Sequence, residues 1–185
     1  LAKTFGQSAE WLQEADELLA ELAAIDLDQA GGDPGRLRLA TLAALSTPRR
    51  RLLIRHALER LGISAPPAAR LIELERQLTM AGADRLPIIR WSGGEARVWR
   101  HHLYLMAPLL AVDPAWQAAW NGQSPLVTPW GVHCVSLHRL YGTDAPSLRV
   151  GLRQGGESLR LAGRGSRDLK RLLQESGIPP WQRDR

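Results

Sequence analysis

The sequence predicts an α+β protein: a helical N-terminal domain carrying a small β-meander, then a small α/β C-terminal domain. Three observations predict it. Apolar residues recur at helical spacing through the first eighty residues. The period drops to two between Pro87 and Met106. A stretch rich in Pro, Asp and Ala, Leu109 to Pro129, then separates this part from a further strand-and-helix segment. The expected boundaries are a first domain over 1–108, a linker over 109–124 and a C-terminal domain over 125–185.

Gln7 to Leu27 reads as a helix, with Trp11, Ala15, Leu18, Leu22 and Ile25 on the face expected to turn inward and Ser8 as its cap. Ala30-Gly31-Gly32-Asp33-Pro34-Gly35 is a loop by its breakers, and Leu39 to Leu45 a short apolar helical run. Thr47-Pro48 opens the next helix, with Thr as cap and Pro at its first position. Leu53, Ile54, Ala57, Leu58 and Leu61 are its apolar side, and Gly62 ends it. Ser64-Ala65-Pro66-Pro67 is a rigid turn into a second amphipathic helix, Ala68 to Ala81, bearing Leu71, Leu74 and Leu78. Ile88 to Trp91, Ala96 to Trp99 and Leu103 to Met106 form the meander, with His101-His102 in a turn. Neighbours on an extended chain point to opposite faces, so this histidine pair is a poor chelator. Trp116 and Trp120 stand at helical spacing and suit anchoring the linker to a core better than stacking on bases. Gly131 to Leu137 and Leu148 to Leu152 read as strands, and Arg167 to Ser176 as a terminal helix capped by Ser166 and stopped by Gly177 and Pro179.

The charge is confined to one element. From Ser147 onward there are nine basic and four acidic residues, and this excess of five equals the formal net charge of the whole chain. Residues 1–147 balance at fifteen of each. Such confinement points to a polyanion surface rather than to general solubility. The cations are nearly all arginine, which suits bidentate phosphate contact, although a coding bias would give the same ratio. The only cysteine, Cys134, excludes a disulfide framework, and with His133 it lacks partners at zinc spacing, so no metal site is expected. No apolar run approaches the ~20 residues of a membrane span, so neither a membrane partner nor a location other than the cytoplasm is expected.

Several motifs stand in order near the end: Arg153-Gln154-Gly155-Gly156-Glu157, Gly163-Arg164-Gly165, Leu169 to Glu175, Ile178-Pro179-Pro180-Trp181 and Arg183-Asp184-Arg185. Their order and spacing resemble the C-terminal domain of bacterial tRNA(Ile)-lysidine synthetases. Leu42 to Ser46, Arg49 to Arg55 and Pro66 to Leu71 look like the substrate-binding domain of the same family. The resemblance implies a part that holds the acceptor-stem side of an isoleucine tRNA. It also implies that an N-terminal domain, absent here, binds ATP, Mg and lysine and joins lysine to C2 of the wobble cytidine of a CAU anticodon. That domain's Ser-Gly-Gly-x-Asp-Ser loop has no counterpart. Ser92-Gly93-Gly94 is followed by Glu95-Ala96 and then by strand, whereas a phosphate loop needs a helix N-terminus there. A chain that starts at Leu1 without Met is expected to be a piece of a longer protein, with no cofactor and no catalytic residue of its own.

Candidate tRNA contacts follow from the charge. In the C-terminal segment they are Arg153, Arg160, Arg164, Arg167, Lys170, Arg171 and Arg183. On a helix from residue 167, Arg167, Lys170, Arg171 and Gln174 fall opposite Leu169, Leu172 and Leu173, and the helix start adds unbonded N–H groups. In the first domain they are Arg49, Arg50 and Arg55. With Arg51 they crowd the N-terminal half of their helix, where cations oppose the helix dipole, so a ligand there competes with a solvated face as the explanation. Two alternatives stay open: a binding-only module of another RNA-processing protein, and a protein-interaction domain whose basic tail is incidental.

Overall fold

A computed structural model describes residues 2–80, 88–134, 147–161, 163 and 165–183. The chain divides into two compact units, Leu1–Leu109 and Leu110–Arg185. Both mix helices with small antiparallel sheets, which makes the protein α+β.

Unit 1 opens with α1 (Ala2–Gln29), followed by β1 (Arg36–Arg38), α2 (Leu39–Ala44), α3 (Thr47–Arg60) and α4 (Ala68–Met80). Strands β2 (Ile88–Trp91), β3 (Gly94–Trp99) and β4 (His102–Met106) complete it. The expected meander is present, and β1 extends it to four strands in the order β1-β4-β3-β2. Three residues, Arg-Leu-Arg, are too short to show an alternation, so β1 is set by its pairing with β4 rather than by local pattern.

Alternation divides the sheet into two faces. Leu37, Leu103, Val98 and Ala96 stand on neighbouring strands and are buried against Leu42, Leu53, Ile54 and Leu58 of the helices. The opposite face carries Arg36, Tyr104 and Arg97 in one row, and Arg38, His102 and Trp99 in the next. Its buried acid, Glu95, is bonded by Arg97 Nε at 2.8 Å and Arg90 Nε at 3.3 Å, as a buried carboxylate requires.

The α3 boundaries follow local chemistry. The cap position is Ser46 rather than Thr47, which is the first helical residue with Pro48 second, and Gly62 at φ 66° lets the Ile63 N–H reach back to the Leu58 carbonyl at 2.9 Å. By contrast, α1 buries a different face from the expected one. Trp11 is 62% exposed, Leu18 65% and Ile25 53%, while Ala23, Asp26, Leu27 and Ala30 are buried. Only the last two turns of α1 reach the core, and there Arg49 draws the Asp26 carboxylate inward. Ser8 lies inside this helix rather than at its start.

The β2–β3 turn shows why glycine stands at Gly94. A Cβ there would overlap the Trp91 indole and come within 2.8 Å of Ile63 Cγ2. The indole cannot give way easily, because its Nε1 donates to the Ser64 carbonyl at 2.7 Å. Gly94→Ala is expected to lower unit 1 stability by about 1–3 kcal/mol, the usual cost of overpacking. An unchanged melting temperature would show that the ring moves freely.

Among its described residues unit 2 holds three two-stranded ribbons: β5 (Gln117–Trp120) with β8 (Leu148–Gly151), β6 (Leu126–Thr128) with β7 (Gly131–His133), and β9 (Ser158–Leu161) with β10 (Gly165–Asp168). Helix α5 (Leu169–Glu175) and one 3-10 turn (Pro180–Gln182) follow. The segment 109–124, expected as a linker, contains β5. Its pairing with β8 across some thirty intervening residues is invisible to a local reading. Trp116 packs edge-on against Trp130 at 5.0 Å, and Trp120 Nε1 donates to Ser124 at 2.6 Å, so the pair is not helical. Of the strand expected over 131–137, β7 takes Gly131–His133, and residues 135–137 lie outside the described residues.

Candidate nucleic-acid interface

The basic residues of α3 divide by their partners. Arg49 makes a bidentate contact with the fully buried Asp26, Nε to Oδ2 at 3.1 Å and Nη2 to Oδ1 at 2.5 Å. The Asp26 hydrogen bond holds the guanidinium pKa above its ordinary value against the opposing effect of burial. Arg50 donates to the carbonyls of Leu42 at 2.7 Å and Leu45 at 3.0 Å, which satisfies acceptors at the C-terminus of α2. Arg51 grips Glu75 of α4 at 2.9 and 2.7 Å. Three first-turn cations are therefore tertiary clamps. Their cost against the helix dipole is offset inside unit 1, and no ligand is needed to explain them. Arg55 alone of the α3 candidates is exposed.

In unit 2 the turn Gln154-Gly155-Gly156 is built around Glu157. Burial pushes this carboxyl up, but the N–H groups of Glu157, Gly155 and Gln154 and the Arg153 guanidinium outweigh it and leave it below its ordinary value. Arg153 Nε reaches the carboxylate at 3.1 Å with its side chain mostly covered, so this arginine builds the turn. Arg183 Nε donates to the Ile178 carbonyl at 2.8 Å and closes the last turn of the chain.

The terminal helix is shorter than expected. Ser166 and Arg167 belong to β10, and Asp168 is the cap, accepting from the Arg171 N–H at 2.9 Å. The Leu169 N–H donates to the Glu157 carbonyl at 2.8 Å. Two of the first three N–H groups of the helix, those of Leu169 and Arg171, are thus engaged within the unit. The expected loop from Arg160 to Gly165 is a hairpin in which Arg160 pairs with Ser166 and Leu159 with Arg167. Residues on this ribbon alternate, so Arg160 and Arg167 point to opposite faces. Arg167 joins Arg171 on Glu175 instead, at 3.6 and 2.9 Å. Arg164 lies outside the described residues.

Lys170 and Arg160 are exposed and make no ion pair among the described residues. Arg149 joins them. It stands exposed on β8 between the half-buried Leu148 and Val150, beside an open cavity of about 290 Å³ lined by Gln117, Ala119 and Ser147. Strand alternation across Leu148-Arg149-Val150 is the signal that marks it, and it was not among the expected contacts. Arg171, with a single exposed carboxylate partner, remains accessible. Among the described residues of unit 2, the side chains that can meet a phosphate are therefore Arg149, Arg160, Lys170 and Arg171, with Arg167 shared with Glu175.

The Ser92-Gly93-Gly94 turn does not have the form of a phosphate loop. Ser92-Gly93 is the turn between β2 and β3, and Gly94 is pressed on Trp91, so no helix N-terminus faces a phosphate there. Among the described residues no group of three or more His, Cys, Asp and Glu side chains is placed to hold a metal ion. Nor is any described helix long and apolar enough to cross a membrane.

Two family models match the chain, the TilS substrate binding domain over residues 37–104 and the TilS substrate C-terminal domain over residues 148–185. The chain is 38% identical to the tRNA(Ile)-lysidine synthase of Methylococcus capsulatus, over 92% of this chain and 39% of that protein. It is 39% identical to that of Alkalilimnicola ehrlichii, over all of this chain and 43% of the relative. With the synthase of Pseudomonas putida it shares 39% identity, over all of this chain and 44% of the relative. The chain thus spans about two fifths of the length of the curated relatives it matches.

Proposed function

Because this chain belongs to the TilS family, we propose that it is the tRNA-holding part of a tRNA(Ile)-lysidine synthase, gripping the acceptor-stem side of its substrate. The observation that carries this reading is the exposed set Arg149, Arg160 and Lys170, which make no ion pair among the described residues, with Arg171 held only by the exposed Glu175, whereas Arg153 and Arg183 are bound internally. Cations that the fold does not use itself are the ones left to a polyanion.

Double-stranded RNA presents phosphates, 2′-hydroxyls and shape, because its major groove is too deep and narrow for side chains to read bases. Phosphate contacts position a substrate without specifying it. The work proposed for these side chains is to hold the tRNA body while the rest of the protein acts on the anticodon. The proposed parent reaction is ATP-dependent attachment of lysine to the wobble cytidine of a CAU anticodon, in the cytoplasm. ATP, Mg and lysine would be held in the part of the protein that this chain does not span.

A competition experiment tests the reading. The purified chain is expected to retard a tRNA(Ile) transcript in a native gel, and an acceptor-stem minihelix is expected to compete, whereas an anticodon stem-loop competes poorly. Equal competition by the anticodon stem-loop would place the contact elsewhere on the tRNA. Failure to retard tRNA at low salt would remove the reading altogether.

A further inference from the structure

We propose that the open half of the unit 1 sheet, around the turn Arg100-His101, is a second contact for the sugar–phosphate backbone of the same tRNA. This rests on the tRNA-holding reading and adds to it a surface that none of the contacts expected from the sequence includes.

The turn joins β3 to β4 with two residues, because Trp99 pairs with His102. Both residues have positive φ, 42° at Arg100 and 65° at His101. A two-residue hairpin turn of this hand is served by Asn-Gly or Gly-Gly, which reach the left-handed region without strain. Two bulky L residues there are unfavourable for the fold, and strain of this kind is held at sites of contact. The choice puts an exposed guanidinium and an exposed imidazole at the tip of the hairpin.

The sheet behind the tip matches it chemically. Arg38, His102 and Trp99 form the row next to the turn, and Arg36, Tyr104 and Arg97 the row beyond; Trp99 and Arg97 are buried, so the β1 and β4 members of each row are the ones that reach the surface. Arg36 and Arg38 are exposed on the edge strand β1, and His102 and Tyr104 are half-exposed on β4. The Arg36 guanidinium lies 6.0 Å from the Tyr104 ring centre, the His102 ring 6.3 Å from it, and Arg100 stacks 4.7 Å over Trp99. The acid on this face, Glu95, is buried and gripped by Arg90 and Arg97, so it does not neutralise the edge. Arg36 and Arg38 stand two residues apart on one strand, about 7 Å, which is comparable with the spacing of adjacent phosphates along an RNA strand.

Cations interleaved with rings favour RNA over an acidic protein. Guanidinium groups take the phosphates, and Tyr104 and His102 offer flat faces to ribose or an unstacked base. The surface is independent of Arg49, Arg50 and Arg51 of α3, whose guanidinium groups are occupied by Asp26, the α2 carbonyls and Glu75.

Two variants of the chain test this with a tRNA transcript in filter binding at several salt concentrations. Arg100→Asn with His101→Gly supplies the preferred turn residues but gives up the stacking of Arg100 over Trp99, two effects of similar size, so it should stay folded and melt within a few degrees of the unaltered chain. It should nevertheless bind tRNA roughly tenfold more weakly, the effect of removing a charge-assisted hydrogen bond. Arg36→Gln with Arg38→Gln should flatten the slope of log affinity against log salt by nearly two units, about 0.9 for each phosphate no longer neutralised. Wild-type affinity and slope in both variants, with binding still weakened by removal of the unit 2 cations, would overturn this contact and leave the tRNA-holding reading intact. That outcome would assign the face to a protein partner. Absence of tRNA binding by the unaltered chain would instead overturn the reading on which the contact rests.

Discussion

Replacing Arg49 by alanine is expected to destabilise unit 1 measurably, because it leaves the buried Asp26 carboxylate without its half-exposed partner. The loss comes from Asp26. Its carboxylate is fully buried and is held by two hydrogen bonds from one guanidinium. Without Arg49 the carboxylate must stay charged in the core or take up a proton, and both cost stability. Lysine should recover only part of the loss, since an ammonium cannot reproduce the fork. Exchanging both partners for apolar residues of similar size, Asp26→Leu with Arg49→Met, should recover most of it, because the buried charge is then gone. Chemical denaturation of the three variants checks the series. An Arg49→Ala variant with wild-type stability but weaker tRNA binding would restore Arg49 to the set of RNA-facing residues.

The largest functional effect belongs to unit 2. Changing Arg149, Arg160 and Lys170 together to glutamine should leave the fold intact, because all three side chains are exposed and none makes an ion pair among the described residues. With three phosphates no longer neutralised, the log-affinity against log-salt slope should flatten by roughly 2.7 units. The weakening should be similar for any tRNA of the same shape, since such contacts carry no sequence information. Arg153→Gln should behave differently. It frees the Glu157 clasp around Gly155 and should disturb the turn, with any loss of binding following the loss of order.

The sequence made the regular elements legible where local chemistry marks both ends. Thr47-Pro48 and Gly62 bracket α3, and turn residues separate β2, β3 and β4. It failed where distant partners decide. The Arg49 acceptor lies 23 residues away and that of Arg51 lies 24 away, so a count of charges cannot tell a clamp from a ligand contact. The inward face of α1 was hidden for the same reason, since a helical wheel places Asp26 in water unless Arg49 is known to meet it. Near the C-terminus, Ser166 and Asp168 are both good caps. The pairing of Gly165–Asp168 with Ser158–Leu161 selects Asp168 and removes Arg167 from the helix. The net excess of five cations was readable, but which of them face outward was not.

The most direct test of the account is the affinity of the unaltered chain for a tRNA(Ile) transcript, measured between about 50 and 200 mM salt, the range over which phosphate-dominated binding weakens steeply. Tight binding is expected at the low end, with a log–log slope of about −3 or steeper, set by several cations of unit 2 acting together. A slope near zero, or no binding at the lowest salt, would contradict it and show that the exposed arginines serve something other than RNA.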